Sequence, residues 1–308
     1  MNQPDAGQPH GHSHEWALIA CLVGVVAWSS GPLMVRGISA SVAVFTPVRL
    51  LISVPVMSAA AVASGGKLTL DLYRRSLVPG VLFLGSMATG FASFQHTSIA
   101  NATLISNLQP VLMLLVAPRL FGERPTVLRV CLAVVAVGGI FTVVLGAASG
   151  GEAGLSGDLF AVANLVIWST YFVFAKRARD AGVHAGSFLA GVFTIAAIAT
   201  VPWVLVARPD FGQLGAHDML LVVGQVFIAG LLGHTAITWC ARYLDITLVS
   251  LLNLLSPVLS MTGAWLIYDQ SMRSVQLLGA AIMIGALALV VGTRSRPVVP
   301  ADEGVMAE

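Results

Sequence analysis

Charged residues are scarce in this chain, because Asp, Glu, Lys and Arg together account for 10% of the sequence. Soluble domains carry about a quarter of their residues as charged side chains. With 57% apolar residues, the chain cannot cover itself with a water-compatible surface, which excludes an ordinary soluble protein. The net charge of +2 is too small, and its basic residues are too scattered, for a nucleic-acid-binding face. The chain is therefore predicted to have a lipid bilayer, and no nucleic acid, as its partner.

Cysteine is nearly absent, with three residues in the whole chain. Cys21, Cys131 and Cys240 all lie in apolar stretches, where a thiol acts as a small hydrophobe, so no disulfide framework is expected. Glycine-rich phosphate loops and His-Glu zinc helices are also missing from the sequence. The alternating histidines of segment 9–14 lack cysteine or acidic partners. We therefore expect no catalytic site, no bound metal and no cofactor.

Long apolar runs take the place of the missing charge. A membrane-spanning helix needs about twenty mostly apolar residues. Ten segments of the chain fit this template: residues 16–36, 42–63, 77–95, 99–119, 126–147, 155–175, 184–206, 218–240, 246–267 and 275–293. They predict an all-α integral membrane protein with about ten transmembrane helices.

Lys and Arg lie mostly in alternate loops, which are the cytoplasmic loops if the N-terminus is inside. Since cytoplasmic loops accumulate basic residues, we predict a multi-pass protein of the cell inner membrane with both termini in the cytoplasm. The predicted order along the chain is a flexible cytoplasmic tail at 1–15, a first five-helix repeat at 16–147, a linker at 148–154, a second repeat at 155–293 and a cytoplasmic tail at 294–308.

Two motifs occur once in each half of the chain. The Trp-Ser pair at Trp28 recurs at Trp168, 140 residues later, and a proline motif at Pro110 recurs at Pro257, 147 residues later. Motifs shared by two halves indicate an internal duplication. Because each half holds five predicted helices, an odd number, the second half must enter the membrane in the opposite orientation. Such inverted repeats are common in secondary transporters.

Several features combine into a family resemblance. The run Ser98–Thr103 leads to the Gln109-Pro pair in the fourth predicted helix, and Phe-Gly-Glu-Arg-Pro at 121–125 follows that helix. With ten helices in two halves, these residues resemble the EamA-type drug/metabolite transporters over residues 16–293. The second half departs from the pattern, with Asp-Gln-Ser-Met at 269–272 in place of Gly-Glu-Arg-Pro. The resemblance implies transport, usually efflux of a small molecule, without naming a substrate.

Pro110 and Pro257 fall near the middle of their predicted helices and are expected to kink them. A proline there frees the carbonyl group of the residue four positions earlier, which is Ser106 or Asn253. Two interpretations stay open. The freed carbonyls and polar side chains line a substrate cavity, or the prolines serve only helix packing.

Two tryptophans lie near the predicted midplane, away from the interfaces where membrane tryptophans concentrate. With Asn164 and Tyr171 nearby, Trp28 and Trp168 are expected to form two walls of an amphipathic pocket. The alternative interpretation is that both rings simply fill the centre of the helix bundle.

Two ionisable residues lie deep inside predicted helices, away from the helix ends. Arg49 is costly at that depth and is expected either to attract an anionic group of the substrate or to reach the outer interface. His234, in the eighth helix, is a candidate for a role in transport. The candidate substrate-binding residues are therefore Trp28, Ser29, Arg49, Ser106, Gln109, Asn164, Trp168, Tyr171, His234, Asn253 and Ser256.

No Asp or Glu lies in the middle of a predicted helix. Exporters of lipophilic cations commonly use such a carboxylate, which disfavours a cationic drug as the substrate. The predicted function is that of a secondary transporter, an exporter of amino acids or related small metabolites that works by alternating access. The alternative is a membrane-embedded enzyme acting on a lipid-linked substrate, for which the sequence shows no catalytic cluster. A homodimer stays open.

Overall fold

A computed structural model of the protein describes residues 11–109, 111–113, 126–148, 154–240, 244, 249, 252–270 and 272–292. All regular elements in these ranges are helices: α1 Gly11–Gly37, α2 Val42–Ala63, α3 Leu70–Arg75, α4 Leu77–His96, α5 Ile99–Ser106, α6 Val127–Ala148, α7 Leu155–Asp180, α8 Ala185–Ala207, α9 Ala216–Gly224, α10 Gly233–Cys240, α11 Leu255–Tyr268 and α12 Ser274–Gly292. A π-helical segment, Gln225–Leu232, joins α9 to α10, and a 3₁₀ turn, Phe211–Gln213, precedes α9.

Seven of the helices in the described ranges are long and apolar enough to cross a membrane, counting α9, the π segment and α10 as one. Two further apolar helices, α11 and α12, are shorter. Large side chains such as Val134, Leu205 and Leu266 are more than half exposed on these helices, as lipid-facing residues are. The prediction of an all-α integral membrane protein is confirmed.

Some predictions fall on residues outside the described ranges. These include most of the tail at 1–15, Pro110, the motif at 121–125, most of the linker at 148–154 and the tail at 294–308. The short helix α3, by contrast, was not predicted from the sequence.

The fourth and ninth predicted helices are interrupted at equivalent positions. Helix α5 ends at Ser106 with Asn107 as its cap, and α11 begins after Leu254, 147 residues beyond Asn107. Pro257 therefore stands in the first turn of α11, where no N–H is required. The loss of a backbone donor is accommodated by a helix boundary.

The helices pack in a pattern that repeats when the two halves are exchanged. By order within each half, α1 corresponds to α7, α2 to α8, α3 and α4 together to the α9–α10 helix, α5 to α11 and α6 to α12. Helix α4 packs on α7 as the α9–α10 helix packs on α1, and α5 packs on α7 as α11 packs on α1. Two other large contacts, α2 with α8 and α6 with α12, join equivalent helices, and α4 also packs on α8 as the α9–α10 helix packs, less extensively, on α2. This packing agrees with a duplicated chain.

Glycines bring one pair of equivalent helices into backbone contact. A Cβ atom on Gly139 of α6 would lie 2.7 Å from the carbonyl oxygen of Gly279 in α12, and a Cβ on Gly279 would lie 2.6 Å from the carbonyl oxygen of Gly139. Small residues commonly allow this close approach in membranes, where packing replaces the hydrophobic drive between helices.

Candidate functional site

Each Trp-Ser motif contacts the fourth predicted helix of the opposite half. Ser29 in α1 lies with its hydroxyl oxygen 3.2 Å from that of Ser256 in α11. In the other half, the indole N–H of Trp168 donates to the side-chain carbonyl of Gln109 over 3.2 Å. Gln109 and Ser256 are themselves 147 residues apart, so the same position of the fourth helix makes both contacts, to the serine of one motif and to the tryptophan of the other.

Trp168 lies in an aromatic cluster. Its ring stacks on Tyr171 with centroids 5.0 Å apart, and Phe83 of α4 packs against both rings at 6.2 and 5.4 Å. Phe193 of α8 extends the cluster at 4.8 Å from Phe83. Because the Trp168 indole N–H already has a partner in Gln109, the cluster is an amphipathic wall whose polar edge faces α5.

Asn164, one turn before Trp168, joins three helices. Its side-chain oxygen accepts from the Ser86 hydroxyl over 2.8 Å, and its amide group donates to the Ser106 hydroxyl over 3.2 Å. Gly90 leaves room for it, because a Cβ there would lie 3.2 Å from the Asn164 side chain. Ser106, which the sequence selected only as the residue four positions before Pro110, is thus hydrogen-bonded to Asn164.

Trp28 is packed differently from Trp168. Its ring meets His234 edge-on, with centroids 5.1 Å apart and an interplanar angle of 75°. Gly233 lets the indole approach, because a Cβ atom there would lie 2.7 Å from the Trp28 ring nitrogen. No ring contact joins Trp28 to Trp168 among the described residues, so each tryptophan builds its own wall.

Two facing positions near each tryptophan pair a glycine with a larger residue, and the glycine lies on opposite helices in the two halves. Asn164 faces Gly90 in one half, whereas in the other Gly24 faces Ile237, with 2.9 Å between a Cβ on Gly24 and the isoleucine side chain. Gly24 lies 140 residues before Asn164, and Ile237 lies 147 after Gly90. One half therefore has a polar bridge where the other has an apolar contact.

The eighth predicted helix is widened next to Trp28. Residues Gln225–Leu232 are π-helical, a form that is rare and frequently found at functional sites. The buried Gln225 donates to the backbone carbonyl of Gly31, beyond Trp28 in α1. Gln225, like Ser86, was missed by the sequence analysis, and the signal in both cases is a polar residue within an apolar helix.

Further polar groups of the site differ in whether they have hydrogen-bond partners. Ser260 donates to the backbone carbonyl of Ser29 over 2.9 Å, in the same contact region as Ser256. Among the described residues, the side-chain carbonyl of Asn253 and the hydroxyl of Ser169 are buried without partners. Buried polar groups normally have partners, so these two are available for a small molecule or water.

Arg49 points into the bundle instead of reaching the outer interface. It is 6% exposed, its guanidinium donates to the Met87 sulfur over 3.3 Å, and it lies 5.4 Å from the centre of the Phe91 ring. Its Nε atom is buried without a hydrogen-bond partner among the described residues. Within the described part of the chain no carboxylate neutralises Arg49, although His234 lies within its electrostatic range.

A cavity of about 260 Å³ lies between α2, α8 and α10. His234 is the predicted site residue found in its wall, together with Met57 of α2 and Leu231 of the π segment. Arg49 shares the α2 face of Met57, two turns deeper at about 12 Å along the axis. The cavity thus lies at one end of the bundle, with His234 in its wall, and Trp28 packs on His234 without being among the residues that line it. Its lining also includes Ala60, Ala61, Ser64, His184, Ala185, Gly186, Leu189, Thr235 and Trp239.

The chain is similar to known proteins along most of its length. It is 24% identical over 200 residues to an uncharacterized transporter of Synechocystis sp., an alignment covering 64% of this chain and 59% of that relative. A protein of known crystal structure matches with a TM-score of 0.64, at 24% identity, over 92% of this chain and 100% of its own. This second likeness shows the fold alone.

The family comparison covers both halves separately. The model of the EamA-like transporter family matches residues 15–145 and again residues 155–292. These are the two halves whose helix contacts repeat when they are exchanged. The expected membership of a transporter family, and not of an enzyme family, is confirmed: the chain belongs to the EamA-like transporter family.

Proposed function

We propose that this EamA-family protein exports amino acids or related small metabolites that carry a carboxylate, by alternating access. The observation that carries the proposal is Arg49, a buried cation with no carboxylate partner among the described residues. Leaving a charge buried and unpaired is expensive, so such residues in membrane proteins usually serve substrates or coupling. A carboxylate on the substrate would supply the missing partner.

The size of the cavity favours a small substrate. Drug-sized ligands occupy clefts of about 300–1,000 Å³, whereas the cavity between α2, α8 and α10 measures about 260 Å³. Its apolar wall of Met57, Leu189 and Leu231 suits the carbon skeleton of a metabolite, while Arg49 stands about 12 Å further along α2 from Met57. These features favour a zwitterion or anion over a bulky cation.

Alternating access is supported by the packing of the helices. Because the contacts of one half recur in the other with exchanged roles, exchanging the conformations of the halves would open the opposite face. The cavity lies at the end of the bundle where α2 ends and α8 begins, the end predicted to be cytoplasmic. An opening on that side would load the substrate from the cell interior, as export requires.

The test is flux of labelled compounds in proteoliposomes, with and without a pH gradient. The panel would pair each amino acid with its decarboxylated amine, and the variants would be Arg49→Gln and Arg49→Lys. We expect saturable flux of the acids that is lost in Arg49→Gln and partly kept in Arg49→Lys, because Lys retains the positive charge. Exposed Arg208 provides the matched control, Arg208→Gln, with unchanged flux.

Two results would contradict the proposal in different ways. Equal flux of the amines, unaffected by Arg49→Gln, would show that the carboxylate is not recognised. If intact cells that make the protein take up the compounds and never release them, the proposed direction of transport is wrong, while the proposed substrate class stands.

A further inference from the structure

The end of the bundle opposite the cavity is closed by a short turn. Residues 38–41 connect α1 to α2 there, and side chains from both halves hold this turn. Apart from the Ser39 hydroxyl, the donors and acceptors of the turn are backbone atoms.

Asp218, in the first turn of α9, holds the N–H side of the turn. Its carboxylate accepts from the Ser39 backbone N–H over 3.0 Å, from the Ser39 hydroxyl over 2.8 Å and from the Ala40 backbone N–H over 3.0 Å. Asp218 is 2% exposed, although it belongs to the second half and the turn to the first. Hydrogen bonds to an ionised acceptor are about twice as strong as neutral ones.

The first half holds the carbonyl side of the same turn. Gln95, near the end of α4, donates to the carbonyls of Ile38 and Ala40 over 3.2 and 3.1 Å. Arg36, near the end of α1, donates in return to the carbonyls of Phe94 and Gln95 over 3.2 and 2.9 Å. The turn is therefore fixed to its own half, and Asp218 is what ties it to the other half.

The residue equivalent to Asp218 makes a different contact. Asp71 lies 147 residues earlier, at the offset that relates Gln109 to Ser256, and stands in the first turn of α3. Its carboxylate pairs with Arg75 of the same helix over 2.8 Å, and both side chains are more than half exposed. Among the described residues, this carboxylate therefore forms no ion pair with the other half.

We propose that Asp218 and Asp71 are alternate latches of the two gates. Asp218 holds the face opposite the cavity shut by binding the α1–α2 turn, and Asp71 takes the equivalent place on the α7–α8 turn when the cavity side closes. The inference rests on the proposed alternating access, and both are positioning residues that do not touch the substrate. Opening of the closed face requires release of Asp218 from Ser39 and Ala40.

The experiment measures the two gates without any substrate, by pulsed electron spin resonance on the full chain in lipid nanodiscs. One spin-label pair, at exposed Ser41 and Gln213, spans the closed face, and a second, at exposed Lys67 and Ala181, spans the cavity side. The test variant is Asp218→Asn. Asparagine has the same size but only one acceptor oxygen, and its amide donors face the N–H groups of the turn.

We expect Asp218→Asn to lengthen the distance of the first pair and to shorten that of the second. A loss of structural integrity alone would not move the two distances in opposite directions. The matched control is Asp210→Asn, which removes the same charge from a carboxylate that accepts only from Gly212 within its own loop, at 2.9 Å. This control should leave both distances unchanged.

Other variants keep the inference testable if Asp218→Asn folds poorly. Ser39→Ala removes one of the three hydrogen bonds from the other partner and should give a smaller shift in the same directions. Asp71→Asn in the Asp218→Asn background should reverse the shift, because the cavity side loses its latch. Unchanged distances in folded Asp218→Asn and Ser39→Ala would overturn the latch role of Asp218, and no reversal would overturn that of Asp71.

Flux separates this inference from the proposed function. If the wild type transports no compound of the panel, the proposed substrate class fails, while the label distances still report on the latches. If the wild type transports amino acids and the distances of Asp218→Asn match those of the wild type, the latch inference fails alone.

Discussion

Replacing Gly233 by Ala tests how tightly Trp28 is held beside the cavity. Gly233 begins α10, and a Cβ atom on it would lie 2.7 Å from the Trp28 ring nitrogen, a separation that real Cβ contacts do not show. The neighbouring atoms belong to a rigid indole and not to the end of a flexible chain. The ring must therefore move, and His234, which packs on it at 5.1 Å, must move with it.

The magnitude follows from a comparison with a second glycine. Overpacking of a tight contact costs about 1–3 kcal/mol, whereas glycine to alanine within a helix gains about 0.5–1 kcal/mol. Gly138 of α6 has open space around its missing Cβ, so Gly138→Ala shows the helix gain alone. The two variants should therefore differ in free energy of unfolding by the overpacking cost, about 1–3 kcal/mol.

The assay is denaturant unfolding of both variants in the same detergent, followed by flux in proteoliposomes. Gly233→Ala should be less stable than Gly138→Ala and should transport more slowly, because Trp28 and His234 are displaced together. Equal stability of the two variants, with wild-type flux in both, would show that the Gly233 contact is not tight and that the reasoning is wrong.

Two further predictions concern the polar bridge and the topology. Asn164→Ala breaks the hydrogen bonds to Ser86 and Ser106. At roughly 0.6 kcal/mol per interhelical bond in membranes, this should lower the free energy of unfolding by about 1 kcal/mol. Denaturant unfolding measures the loss, with Asn164→Asp as the comparison variant. Cysteines placed at Lys67 and Gln213 should react with a membrane-impermeant reagent from the cytoplasm and from outside, respectively. Labelling of both from one side would contradict the predicted orientation.

Much of the fold could be read from the order of the residues. In hydrocarbon every backbone N–H and C=O group must be paired within the segment, so a long apolar run has to be helical. The bounds of α2, α8 and α12 lie within a residue of those predicted for the second, seventh and tenth helices. The duplication was also visible, because equivalent tryptophans and prolines keep their spacing in both halves.

The helix boundaries near the prolines were less predictable. A proline inside a helix removes one backbone hydrogen bond, but its presence in the sequence does not determine whether the helix bends or ends there. At Pro257 the helix ends and restarts, with Leu254 at the boundary. The choice depends on how neighbouring helices pack against that point, which the spacing of residues in one segment does not determine.

What the sequence by itself determined is local: which segments enter the membrane, that the chain is duplicated, and which polar residues are costly enough to need partners. Tertiary structure alone decided the partners. Asp218 meets Ser39 and Ala40 across nearly 180 positions of the chain, and Trp28 meets His234 across more than 200. Hydrophobic burial is a property of each segment, whereas hydrogen bonds and ring contacts are directional and depend on the relative positions of packed helices.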